Sequence, residues 1–116
     1  YALFDGNYNL LDEKDSIVNR FYIPEKFSLK QNYPNPFNPK TTIRFSLPVD
    51  SNVELIIYDV NGKIVKEIIN HNMETGSYKV VWDGTNKGGA LVGSGVYFYR
   101  IKADNFIASQ KMIFLK

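Results

Sequence analysis

Val53-Glu54-Leu55-Ile56-Ile57-Tyr58-Asp59-Val60-Asn61-Gly62-Lys63-Ile64-Val65-Lys66-Glu67-Ile68-Ile69 reads as a β-hairpin. Val53, Leu55 and Ile57 share one face at a period of two residues, as on a half-buried strand. Asn61-Gly62 is the strongest short hairpin signal, because both residue types accept positive φ. Lys63 to Ile69 is expected to return as the partner strand.

The same grammar extends in both directions. Upstream, Thr41 to Leu47 alternates with Ile43, Phe45 and Leu47 on one face, and Pro48 ends the run. Downstream, Gly76 opens Ser77 to Trp82, which places Tyr78, Val80 and Trp82 together. Asp83 to Gly89 is a turn cluster. Gly95 to Ala103 is the next strand, Asp104-Asn105 a two-residue turn, and Phe106 to Leu115 the last strand. About seven short strands at such spacing, with no helical pattern, predict an all-β fold, an immunoglobulin-like antiparallel β-sandwich. The aromatic fraction of 15% agrees with this, since aromatics favour sheet.

Ahead of these strands stands Gln31-Asn32-Tyr33-Pro34-Asn35-Pro36-Phe37-Asn38-Pro39. Proline fixes φ, lacks an N–H and pushes the preceding residue toward extended backbone, so neither a helix nor a central strand fits. Yet Tyr33, Pro34, Pro36 and Phe37 carry too much apolar surface for a solvated linker. The segment is expected to be stiff and clamped across an edge of the β-domain. Tyr33 and Phe37 should pin it, while Asn35 and Asn38 bond backbone groups at its bends.

The first 24 residues differ in pattern. Tyr1 to Phe4 and Ile17 to Ile23 look like strands around a polar loop, with Pro24-Glu25-Lys26 as a junction. This divides the chain into residues 1–26, the end of a preceding region or a linker, and residues 27–116, the domain proper. Opening on Tyr1 rather than Met, the sequence looks like a piece of a longer precursor whose export signal lies upstream.

Composition narrows the function classes. Fourteen Lys and Arg against twelve Asp and Glu leave a net charge of +2, with the cations scattered, which argues against nucleic acid. No apolar run approaches the roughly 18 residues that cross a bilayer as a helix. Without cysteine there is neither a disulfide framework nor thiolate chemistry. His71, the one histidine, sits in a turn-like stretch and cannot make a multi-histidine zinc site. Gly93-Ser94-Gly95 lacks the spacing and the helix of a nucleophile elbow. Asp5, Asn7 and Asn9 alternate like the start of a calcium loop, but Leu10 and Ser16 stand where that loop needs Gly and Glu. Asp83 and Asn86 are better read as turn residues bonding their own loop than as a cation site. Exposed Trp82, Tyr97 or Tyr99 could stack on sugars, but a core tryptophan is the plainer reading for Trp82. No cofactor, metal or catalytic residue is expected, and the chain is read as a non-enzyme.

The motifs resemble a known family. Leu29-x-Gln31-Asn32-Tyr33-Pro34-Asn35-Pro36-Phe37-Asn38-Pro39-x-Thr41-x-Ile43-x-Phe45-x-Leu47-Pro48 resembles the start of the type A C-terminal sorting domain of the type IX (Por) secretion system. Val53 to Tyr58 with Asp59, Gly62 and Val65 is similar to its second block. Gly76, Tyr78, Val80 and Trp82-Asp83-Gly84, then Gly88 and Ser94 to Tyr99, are similar to the third, and Lys111-Met112-x-x-Leu115-Lys116 to the close. The resemblance spans about ninety residues and leaves residues 1–24 outside.

It implies a non-catalytic label that directs an N-terminally fused passenger through the outer-membrane translocon. Removal by a sortase-like protease then leads to surface attachment or release. The implied location is the periplasm in transit, then the cell surface or medium. The last strand, with Lys111 and Lys116, is expected to form part of the surface that is read. Two other readings stand beside it: a structural Ig-like module akin to the flagellar hook-capping domain, and a carbohydrate-binding sandwich.

Overall fold

The computed structural model describes residues 23–116, so the readings made above for residues 1–22 lie outside the described part. Seven strands follow in order: β1 (Ser28–Leu29), β2 (Thr41–Leu47), β3 (Ser51–Tyr58), β4 (Ile64–Met73), β5 (Gly76–Trp82), β6 (Gly95–Ala103) and β7 (Phe106–Phe114). They form a three-stranded sheet, β1-β2-β5, and a four-stranded sheet, β4-β3-β6-β7, with every strand pair antiparallel. This is the expected Ig-like sandwich.

Period-two alternation explains the two layers. Ile43, Phe45 and Leu47 of β2 face Val53, Leu55 and Ile57 of β3, Tyr99 and Ile101 of β6, and Met112 and Phe114 of β7, all buried in one core. Each such side chain contributes about 1.5–3 kcal/mol through removal from water. The outward positions of the small sheet, Thr42, Arg44, Ser46, Ser77 and Lys79, are polar. One-sided burial of this kind is what an antiparallel sheet permits.

Three local readings need correction. The β3–β4 hairpin is organised by Asp59 rather than by an Asn-Gly pair with two positive φ angles. Gly62 alone takes a positive φ, 80°, and its N–H closes the turn on Asp59 O at 3.0 Å. Asp59 Oδ1 accepts from Asn61 N at 2.9 Å and Lys63 N at 3.0 Å. Secondly, β4 runs on to Met73, so His71 lies in a strand, paired with Val53, and not in a turn. Polar residues on an exposed edge strand hid that extension. Lastly, the short β1 was not anticipated; it pairs Ser28 with Ser46 and Leu29 with Phe45.

Candidate functional site

The Gln31–Pro39 segment joins the two sheets. Its first part follows β2: Lys30 N donates to Arg44 O at 2.9 Å, and Tyr33 exchanges bonds with Thr42 at 3.0 and 2.9 Å. Past Pro34 the chain leaves β2 and meets β7 in a parallel bridge, Phe37 with Phe114. Phe37 N donates to Ile113 O and Leu115 N to Phe37 O, both at 3.0 Å, while Ile113 N donates to Asn35 Oδ1 at 2.9 Å. The peptide bonds before Pro34, Pro36 and Pro39 are cis.

Side chains continue this seam along β7. Phe27 stacks on Phe106 with centroids 5.1 Å apart. Gln110 Nε2 donates to Leu29 O at 3.1 Å, and Gln31 Nε2 to Lys111 O at 2.7 Å. Residues 27–37 therefore run beside the outer edge of β7 over most of its length. The outer edge of β7 is thus flanked by the chain's own opening segment, whose bonds to its backbone fall at Lys111, Ile113 and Leu115.

The anchors are distributed differently from the expectation. Phe37 is buried, 4.9 Å from the Phe114 ring and 5.6 Å from Trp82. Tyr33, in contrast, is 74% exposed. Backbone pairing with Thr42 turns its side chain outward and its neighbour Asn32 inward, as alternation on an extended chain requires. Asn35 bonds the backbone as expected. Asn38 does not: it is exposed, and its side chain makes no hydrogen bond among the described residues.

The polar work falls to Asn32 and Thr41, both buried and both missed as site residues. Asn32 Nδ2 donates to Pro34 O at 3.1 Å and to Thr41 Oγ1 at 2.9 Å, and Thr41 Oγ1 donates to Pro34 O at 2.8 Å. Gln31 Nε2 completes the network on Asn32 Oδ1 at 2.6 Å. The available sequence signal was an Asn placed immediately before Tyr-Pro, with a Thr at the first inward position of β2.

Trp82 is a core residue. It is 1% exposed, meets Tyr97 edge-on at 5.5 Å and donates Nε1–H to Thr85 O at 2.9 Å. Tyr97 and Tyr99 are buried as well, their hydroxyls donating to Gly93 O at 2.8 Å and Lys30 O at 2.6 Å. Burial pushes the Tyr99 phenol up to about 12. The three aromatics that a sugar-stacking reading would use are thus turned into the core.

The adjoining loop spends its polar groups on itself. Asp83 Oδ1 accepts from the Thr85 hydroxyl and from Thr85 N, and the hydroxyl bond holds its carboxyl below the usual range. Asn86 Oδ1 accepts from Gly88 N at 2.9 Å and Ala90 N at 3.1 Å. Both residues have the Asx role read from the sequence. Ser94 Oγ accepts from Lys116 N at 2.8 Å. Lys111 and Lys116 are exposed, Lys111 on the solvent face of β7 and Lys116 just beyond it.

The architecture defines an Ig-like module with its opening segment folded along its last strand. The chain belongs to the FlgD Ig-like domain family, which its residues 37–106 match. Among solved structures it is similar to dimeric latent PorU from Porphyromonas gingivalis, with 25% identity and a TM-score of 0.63 over 82% of this chain and 10% of that one. FlgD from P. aeruginosa is also 25% identical, with a TM-score of 0.51 over 64% of this chain and 60% of that one. PorZ of P. gingivalis, described as an essential surface component of the type IX secretion system, shares the fold at 19% identity and a TM-score of 0.54, over 77% of this chain and 12% of that one. The chain thus spans about a tenth of PorU and of PorZ. A comparison with curated protein sequences finds no match.

Proposed function

We propose that this domain is a non-catalytic sorting module that directs a fused passenger through the outer-membrane translocon of a type IX secretion system. The observation that carries this reading is the Tyr-Pro-Asn-Pro-Phe-Asn-Pro segment. It begins ahead of the stretch that matches the FlgD family, yet it is built into the fold by Phe37, Asn32 and the bonds to Ile113. The likeness to PorU, which reaches over more of the chain than the FlgD match, supports the same reading. The domain carries the address and the passenger carries any chemistry. Cleavage by a sortase-like protease, then surface attachment or release of the passenger, completes this reading.

The FlgD family match favours a second reading, a structural Ig-like module. One experiment separates the two. Residues 1–116 are fused behind a reporter bearing an inner-membrane signal peptide, in a type IX-competent bacterium and in a translocon-deficient derivative. Sorting predicts reporter at the surface or in the medium of the first strain and in the periplasm of the second. Periplasmic reporter in both strains overturns sorting and leaves the structural module.

A further inference from the structure

The two solvent faces of the sandwich differ in chemistry. That of the small sheet is polar in the pairs Arg44–Lys79 and Ser46–Ser77, and its large apolar side chains are Val81 and, bridged to Thr42, Tyr33. On the four-stranded sheet the register aligns Ile64, Tyr58, Phe98 and Lys111 in one row across the strands. The next row is Glu67, Ile56, Arg100 and Ser109, and the third is Asn70, Glu54, Lys102 and Ile107. Ile64 is 55% exposed, Phe98 36% and Ile107 60%. Ile56 is buried on this outer side, apart from the core between the sheets. A sheet face in water does not ordinarily gather so many apolar groups, and such patches mark binding surfaces.

Charge divides the face. Glu54 and Glu67 lie on its β3–β4 half, whereas β6 and β7 contribute Arg100, Lys102 and Lys111 and no acid. Arg100 sits 5.3 Å over the Tyr58 ring, Lys102 stands opposite Glu54, and Lys111 stands opposite Phe98. Ile107 lies beside Lys102. Strand addition at β7 is restricted, because residues 27–37 already run along that edge. A partner reading this end of the domain must engage side chains on the face.

We propose that the β6–β7 half of this face, centred on Phe98, Arg100 and Lys111, is the surface that a protein receptor reads, and that the receptor offers an acidic surface with an apolar centre. Charge complementarity selects that occupant: Arg100 and Lys111 beside the partly exposed Phe98 ring suit carboxylates around an apolar pocket. This inference rests on the sorting reading above and makes the receptor contact a face rather than a strand edge.

The test uses the full chain fused to the exported reporter. The variants are Phe98→Ser, the pair Arg100→Glu with Lys111→Glu, and the conservative pair Arg100→Lys with Lys111→Arg. Arg44→Glu and Val81→Ser on the opposite sheet are controls, and Trp82 fluorescence melts verify folding of each. Export should fall at least about tenfold in the first two variants, as loss of an interface hot spot does, and stay near the parent in the others. Folded face variants exported like the parent sink the inference while the sorting reading stands. An unmodified fusion that is not exported takes both down.

Two further measurements address other occupants. Sedimentation of the chain with vesicles of equal phosphatidylglycerol and phosphatidylcholine, abolished by the charge-reversed pair, would replace the protein receptor by a membrane surface and overturn the proposal. A self-associated chain that Phe98→Ser returns to monomer in sedimentation equilibrium would overturn it in favour of a second copy.

Discussion

Gly84 shows how one residue is held by its surroundings. It is buried with φ of +78°, and an added Cβ would lie 3.1 Å from Phe114 Cζ, 3.2 Å from Leu91 Cδ1 and 3.3 Å from Pro39 O. Both the left-handed backbone and the crowding oppose any side chain. Gly84→Ala should therefore cost about 2 kcal/mol or more, read as a shift in the urea midpoint. Tyr99 makes a pH prediction. An unfolded phenol titrates at about 10, while the folded one is raised to about 12. Between these values the unfolded chain has lost the proton that the folded chain keeps. Stability should accordingly be constant in this respect below about pH 10 and fall as pH rises toward about 12. In Tyr99→Phe the alkaline decline should be shallower, measured by denaturant melts across that range.

At the scale of elements, the opening segment and β7 act as a unit. Phe37→Ala removes a ring packed between Phe114 and Trp82 and should cost about 3–5 kcal/mol. Tyr33→Ala removes an exposed ring and should stay within about 0.5 kcal/mol. The two aromatics of one motif thus separate by an order of magnitude, which thermal melts will resolve. Amide exchange tests the seam directly. The Ile113 and Leu115 N–H groups face away from β6 yet are bonded to Asn35 and Phe37, so they should be protected. Replacing Asn35 by Ala should release Ile113 and spare Leu115. Uniformly fast exchange at both in the parent chain would contradict the seam.

At the scale of the molecule, two sheets share one core, and the aromatic cluster Phe37, Trp82, Tyr97 and Phe114 draws on the opening segment, β5, β6 and β7. Unfolding of the described domain should be cooperative. Fluorescence of Trp82, the single tryptophan, and far-ultraviolet circular dichroism should give coincident transitions. An earlier dichroism transition would indicate that one sheet melts by itself. The proposed recognition belongs at this scale as well, since the face formed by Phe98, Arg100 and Lys111 exists only once β6 and β7 are in register.

The sequence by itself determined the alternation, the turns and hence the sandwich, because period-two burial and glycine-rich breaks are local properties of the chain. It also marked Trp82 as core and Asp83 as a turn residue. Only the tertiary structure decided which half of the proline motif is an anchor. Tyr33 and Phe37 have equal claim to burial by composition, and backbone pairing with β2 on one side and β7 on the other sends one out and the other in. The length of β4 was hidden for a related reason: its end is polar because it faces water, and it becomes a strand through its partner β3. The flanked edge of β7 joins residues about eighty positions apart, and no local pattern records such a meeting.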